Sequence, residues 1–322
     1  MKPVTVRTSP SLALIKYWGK IPGGTNIPAT SSLAVGLHDL RTTTRVSAGD
    51  PSGTDEVFIA DEPQPAGHFA PVIEALRSHA RSLGRTHADI PVRVDSENSF
   101  PTAAGIASSS SGFAALVLAL HAWWDLDLPM HELSRIARTG SGSAARSVYG
   151  GFTRFAAGAE FAEPLYAADW WPELRVVVAV TDSGRKSIGS RDGMERTRTT
   201  SPFYEPWVED AVRLTRLAED AIAQRSLVTL GPLMRESYLR MVGTSIAASP
   251  PVLYWLPASV GVIRACDELR HAGLEAWETM DAGPQVKILT TMRDLPQVQA
   301  RIAEVHGVQD ILVSRVGGDA ET

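Results

Sequence analysis

The chain has 322 residues, 44% hydrophobic and 21% charged, with 31 basic and 36 acidic side chains and a formal net charge of −5. That length and balance suit a globular protein of two domains with a large core. The charges are well mixed, so no basic stripe points to nucleic acid, and no apolar run is long enough to span a bilayer.

The N-terminal Met-Lys-Pro-Val-Thr lacks the apolar core of a secretory leader, and a cytoplasmic protein is the natural reading. Cys266 is the only cysteine, which excludes a disulfide within the chain and a thiolate metal site. A small buried residue on a helix is the expectation for it.

In chain order, residues 4–9 alternate as a strand does, and Leu12 to Gly19 is a mixed apolar and aromatic run ending in Lys-Tyr-Trp-Gly-Lys20. If that run is extended, positions 16, 18 and 20 share a face. Tyr17 then points away, so the strand must bend or end there for Lys16, Tyr17 and Lys20 to converge. Leu33–Leu37 and Arg41–Ser47 read as paired strands, and Glu56–Ala60 as another. Pro63-Gln-Pro-Ala-Gly67 breaks the pattern before helical periodicity at Phe69–Leu83.

A polar strand, Pro91–Ser99, leads into Phe100-Pro-Thr-Ala-Ala-Gly-Ile-Ala-Ser-Ser-Ser-Ser-Gly112, and an apolar helix follows from Phe113 to about Trp124. Small residues let backbone approach an anion closely, and the free N–H groups and dipole of a helix start favour negative charge. The serine hydroxyls add donors. This is the composition of a phosphate cradle, though not a Walker loop, because Phe113 follows Gly112 where that motif needs lysine. A flexible Gly/Ser linker is the plain alternative, and the apolar flanks argue against it.

A second helix is expected near Met130–Arg138, a second small-residue loop at Gly140–Gly151, and a buried strand at Leu174–Val180. The second half reads as helices near Trp207–Gln224, Leu227–Met241 and Ser259–His271. It closes on strands near Glu275–Met280, Gln285–Thr290 and Ile311–Val316. Strands and helices in blocks argue for α+β. The boundary is expected just after Val180, dividing the chain into 1–182 and 183–322.

Four segments form a constellation: Ala13-Leu-Ile-Lys-Tyr-Trp-Gly-Lys20, Phe100-Pro-Thr-Ala-Ala-Gly-Ile-Ala-Ser-Ser109, Gly140-Ser-Gly-Ser-Ala-Ala-Arg-Ser147 and Met280-Asp-Ala-Gly-Pro284. Ser190-Arg-Asp-Gly-Met194 is a looser fifth. In this order they resemble the mevalonate diphosphate decarboxylases of the GHMP kinase superfamily, over roughly residues 5–290. The resemblance implies a two-domain α+β GHMP-kinase-like fold with the active site in the cleft, usually a homodimer. It implies ATP with Mg²⁺, phosphorylation of a 3-hydroxyl, and loss of that phosphate together with CO₂.

By the same resemblance Asp281 lies beside the hydroxyl as base or orienter. Arg146 holds the substrate carboxylate, a task its planar fork suits. Ser141 and Ser143 lie beside the substrate, and Lys16, Tyr17 and Lys20 converge on phosphate groups. The nucleotide falls to Gly105, Ala107, Ser108, Ser109 and Ser110, with Ser109 nearest the transferred phosphate. Ser96 and Asn98 are further nucleotide contacts, a polar strand end being the alternative for them. Asp281 alone also reads as an Asx-turn residue, and Arg146 alone as a helix-surface arginine. Trp18 is read as core. No HxxxH or carboxylate cluster suggests a protein metal cage, so the metal should sit on phosphate oxygens.

The chain departs from the resemblance in three places. The arginine expected just before helix 69–83, which grips a diphosphate, is missing from Gln64-Pro-Ala-Gly-His68-Phe69. One lost charge-assisted contact is worth about 1.5–3 kcal/mol. Glu236-Ser-Tyr238-Leu-Arg-Met241 carries Tyr238 and Met241 where asparagine and histidine are expected. Gln285 and Met280 are milder changes. The first two favour mevalonate 5-phosphate, giving isopentenyl phosphate, over the 5-diphosphate, although His68 or Arg77 could restore a cation. A 3-kinase without decarboxylation and a non-catalytic sensor of the same fold are the rival readings. Ser183–Arg191 is a polar candidate lid, or an interdomain linker.

Overall fold

In the computed structural model the described residues are 2–100, 108–182, 184 and 188–322. β1 (Val4–Thr8) buries alternate residues from Val6, whereas β2 (Ser11–Ile15) and β3 (Ser32–Gly36) are buried throughout. β4 (Thr42–Ala48) alternates again, and β5 (Glu56–Ile59) and the short β6 (Glu62–Pro63) follow. α1 (Ala70–Ser82) has Pro71 near its start, where a missing N–H costs nothing. β7 (Val92–Asn98) precedes α2 (Ser108–Trp123), which is apolar on nearly all sides and deeply buried. α3 (Met130–Gly140), the single turn α4 (Ala144–Ser147), β8 (Phe152–Phe155) and β9 (Glu163–Tyr166) complete the first half.

β10 (Leu174–Val180) is buried and apolar, and α5 (Ser190–Thr200), α6 (Tyr204–Ala223), α7 (Leu227–Ile246) and α8 (Pro257–His271) come next. β11 (Trp277–Met280), β12 (Val286–Thr291), α9 (Leu295–Ala303) and β13 (Asp310–Arg315) end the chain's regular structure.

Among the described residues these strands form three sheets, in the orders β1-β4-β7-β5-β6, β2-β3-β8-β9 and β11-β12-β10-β13. α2 packs on β1 and β4, with α1, α3 and α4 around it. Each Leu, Val or Phe that it fully buries contributes about 1.5–3 kcal/mol. A second core joins the halves: Leu12, Leu14 and Val35 meet Val176 and Val178 of β10 and Leu214 and Met234 of α6 and α7. The end of β2 is thereby brought to the end of β11, which carries the Asp-Ala-Gly-Pro turn. The α+β architecture matches the reading of the sequence.

Two readings need correction. The strands at 33–37 and 41–47 do not pair. β3 lies between β2 and β8, while β4 lies between β1 and β7. Burial explains the separation, because β3 is covered on both faces and β4 on one only. The apolar helix does not begin at Phe113. Within the described residues it already runs from Ser108, so the serine run is helical rather than a loop before the helix. Cys266 is buried on α8, as expected. No helix among the described residues is long and apolar enough to cross a membrane.

Candidate active site

β2 stops at Ile15, and the backbone then turns through Gly19, whose φ of +126° an L side chain rarely adopts. This break lets Lys16, Tyr17 and Lys20 all reach one cavity of about 430 Å³, which an unbroken strand would not allow. Ser237 of α7 pins the break, its Oγ accepting the Lys16 N–H at 3.0 Å. Trp18 also touches the cavity but is 2% exposed and belongs to the core.

Lys16 is 1% exposed. Its Nζ donates to the Ala13 carbonyl at 2.7 Å and to Asp281 Oδ1 at 2.8 Å. The other carboxylate oxygen of Asp281 lies 3.3 Å from Lys287 Nζ on β12. Burial pushes Lys16 down to about 8, against the pull of Asp281. Burial alone would raise Asp281, but the charges of Lys16 and Lys287 outweigh it and hold the carboxyl well below the usual range.

Arg146 stands on α4 with its side chain buried, and Nη1 donates to Ser32 Oγ at 2.5 Å. Its Nε is buried with no partner among the described residues. Burial lowers the guanidinium to about 10, opposed by Asp281 and Tyr17. Ser141 and Ser143 flank it, their hydroxyls 3.3 Å apart. Gly142 between them is required by contact, because a Cβ there would lie 2.3 Å from Tyr17 Oη. Burial keeps that phenol protonated, above its ordinary range.

Lys20 Nζ donates to Asn26 Oδ1 at 2.6 Å, and Asn26 is itself held by the carbonyls of Arg138 and Thr139. Burial, and then the charge of Arg191, bring Lys20 down to about 8. Lys20, Asn26, His68 and Arg191 also line an adjoining cavity of about 620 Å³.

The start of α2 presents Ser108 and Ser109 to the main cavity. One cavity therefore gathers Lys16, Tyr17, Lys20, Ser108, Ser109, Ser141, Ser143, Arg146 and Asp281. Ser96, Asn98 and Ser110 are not among its lining residues. Ser96 Oγ is 2.9 Å from Thr44 Oγ1, and Asn98 Oδ1 accepts from Thr42 Oγ1 at 2.6 Å. Ser110 is buried in the first turn of α2. Gly105 and Ala107 lie outside the described residues, as do Ser183, Arg185, Lys186 and Ser187 of the lid segment. Gly189, Ser190 and Arg191, where α5 begins, line the cavity.

Arg77 is engaged elsewhere. It makes a bidentate pair with Asp55 at 2.6 and 2.8 Å and donates to the Ala88 carbonyl at 3.0 Å. His68 does line the cavity. Met241 lines it too, whereas Tyr238 turns away to donate to Glu278 at 2.9 Å. Gln285 accepts the Thr181 N–H at 2.6 Å and ties the end of β10 to the Asp-Ala-Gly-Pro turn.

Sequence reasoning passed over Asn26 and Lys287. The signal for Lys287 was a lone lysine inside the apolar run Val286-Lys-Ile-Leu289, a position where a charge is rarely buried unpaired. Asn26 carried no such signal.

Residues 8–167 match the family described as "Diphosphomevalonate decarboxylase-like N-terminal domain", and residues 176–320 match "Mevalonate 5-diphosphate decarboxylase C-terminal domain". The chain belongs to the mevalonate diphosphate decarboxylase family. The diphosphomevalonate decarboxylase of Eremothecium gossypii is 32% identical over 329 residues, covering 95% of this chain and 82% of the relative. Among solved structures, the mevalonate diphosphate decarboxylase of Staphylococcus aureus superposes with a TM-score of 0.90 at 33% identity, covering 99% of this chain and 97% of the other. Another family member, described as "MDDEF in complex with MVAPP, AMPPCP and Magnesium", superposes with a TM-score of 0.88 at 32% identity, covering 99% and 98%.

Proposed function

We propose that this protein uses ATP to decarboxylate mevalonate 5-diphosphate, giving isopentenyl diphosphate, ADP, phosphate and CO₂. The observation that carries the reading is the placement of Asp281, Lys16 and Arg146 in one cavity with the serine-rich start of α2. The expectation of a 5-monophosphate is replaced. The relatives are diphosphomevalonate decarboxylases, and one family member is described with MVAPP bound. The missing arginine is answered by other cations, since Lys20 and Arg191 line both cavities and His68 stands beside them.

In this reading Arg146 takes the substrate carboxylate through its unpaired edge, with Ser141 and Ser143 alongside. Tyr17, Lys20, Arg191 and His68 take the diphosphate. Ser108 and Ser109 of α2 take the phosphates of the nucleotide through their hydroxyls. Their hydroxyls fit an Mg²⁺ carried on those phosphates, and the ion supplies charge neutralisation there when bound.

Asp281 stays ionised at working pH and accepts a hydrogen bond from the 3-hydroxyl, orienting its oxygen. A loose transition state lets the hydroxyl proton leave late, so a strongly acidic carboxyl is adequate. Lys16 offers positive charge next to the oxygen that gains the phosphoryl group. Departure of that phosphate draws electrons from the C–C bond to the carboxylate, which leaves as CO₂.

Turnover of the 5-diphosphate and the 5-monophosphate, each with ATP, tests the reading. ADP and CO₂ should appear one for one, with the higher kcat/KM on the diphosphate. A preference for the monophosphate, or ADP without CO₂, would overturn it.

A further inference from the structure

Lys287 is a lysine buried in the middle of a sheet. It lies on β12 opposite Thr279 of β11 and Val178 of β10, and its side chain is 1% exposed. Lysine is strongly hydrated and costly to bury, so a site that keeps one there needs a partner. Asp281 is such a partner, its Oδ2 lying 3.3 Å from Lys287 Nζ. Lys287 is not among the residues lining the main cavity, whereas Asp281 is. It stands behind the carboxylate, out of the ligand space.

We propose that Lys287 is a positioning residue, which holds the second oxygen of Asp281 and so sets the plane in which that carboxylate meets the substrate. Lys16 alone would leave the carboxylate free to swing about its Oδ1 contact. Cations on both oxygens, one from the end of β2 and one from β12, fix its rotation. Arg146 adds a third positive charge nearby. The backbone of Lys287 is paired on both sides, by β11 and by β10, so the support is rigid. Asp281 has no such restraint of its own, because it sits in the turn just past β11. Small misplacement of a reacting group costs as much as about a hundredfold in rate, which gives such a brace a function.

This inference rests on the role proposed for Asp281, and its test separates the two. Lys287→Met keeps the length of the side chain and removes the charge. Its kcat should fall about 10- to 100-fold with KM for both substrates nearly unchanged, because no ligand contact is lost. Lys287→Arg, which restores a cation, should recover part of the loss, and Lys287→Gln should not. If Lys287→Met is too unstable to assay, the Arg and Gln variants carry the same comparison. An unchanged kcat, a loss confined to KM, or equal loss in the Arg and Gln variants would overturn the inference. Asp281→Asn is measured beside them. If it turns over normally, the role of Asp281 fails. If it is inactive while Lys287→Met is unaffected, only the brace fails.

Discussion

Raising the pH should switch off catalysis through the two lysines at the mouth of β2. Lys16 and Lys20 are each brought down to about 8, Lys16 by burial and Lys20 by burial and Arg191. Above that value each loses its proton in the free enzyme. The cavity then loses a charge that faces Asp281 and one that the proposed function assigns to the substrate's phosphates. A single such group makes kcat/KM fall about tenfold per pH unit, and two titrating together steepen this toward about a hundredfold. Lys20→Met should return the slope to about tenfold.

The loss cannot be blamed on Lys16 unfolding the protein, because the sign is opposite. Its folded value lies below the ordinary 10.5, so between about 8 and 10.5 the unfolded chain binds more protons, and stability rises with pH. For Lys16 the full shift amounts to about 3 kcal/mol. The assay is ADP release with limiting substrate across about pH 6.5–9.5, with Tm measured at each point. A flat kcat/KM over that range, or a slope unaltered in the Lys20 variant, would refute the reasoning.

Three substitutions probe the rest of the site and its support. Arg146→Lys keeps charge but loses the planar fork, and kcat/KM should fall about 10- to 150-fold, the equivalent of about 1.5–3 kcal/mol; an effect under twofold would remove the carboxylate from Arg146. Gly142→Ala puts a Cβ where Tyr17 Oη now lies, 2.3 Å away, and should cost about 1–3 kcal/mol of stability by urea titration and weaken substrate binding. Glu278→Ala strips one partner from Arg235 and Arg270, each at 2.6 Å and each also paired with Asp267, and the carboxylate from Tyr238 at 2.9 Å. Breaking so buried a set should cost about 3–5 kcal/mol in urea at unchanged m-value, and a loss below about 1 kcal/mol would show that water replaces the carboxylate easily.

Much of the site was readable in advance because its chemistry is local. Lys16, Tyr17 and Lys20 come from one short run, and Ser141, Ser143 and Arg146 from another, so the resemblance of those runs to a known family carried them. Asp281 was marked by the Asp-Ala-Gly-Pro motif of the family the chain resembles, its tight turn alone also fitting an Asx-turn residue. What escaped depended on distant contacts. Lys287 owes its role to a carboxylate across a turn, and Asn26 to a lysine and two carbonyls on α3.

The fold shows the same division. Long periodic helices such as α6 and α7 were legible, but β8, β9 and α9 were passed over, being too short to show a clear period. The pairing of β3 and β4 was misjudged because adjacency in sequence outweighed their different burial patterns. The serines were read as a turn before the helix, although Ser108–Ser111 are helical. The lean toward a single phosphate has a related origin: one missing arginine is visible in sequence, whereas cations converging from α5 and the end of β2 are not.

A crystal structure with mevalonate 5-diphosphate and a non-hydrolysable ATP analogue tests the account most directly. The 3-hydroxyl oxygen should lie about 2.6–3.2 Å from a carboxylate oxygen of Asp281, with the terminal phosphate of the nucleotide in line beside Ser109. A hydroxyl turned toward solvent, or bonded to some other side chain while Asp281 touches only its lysines, would contradict it.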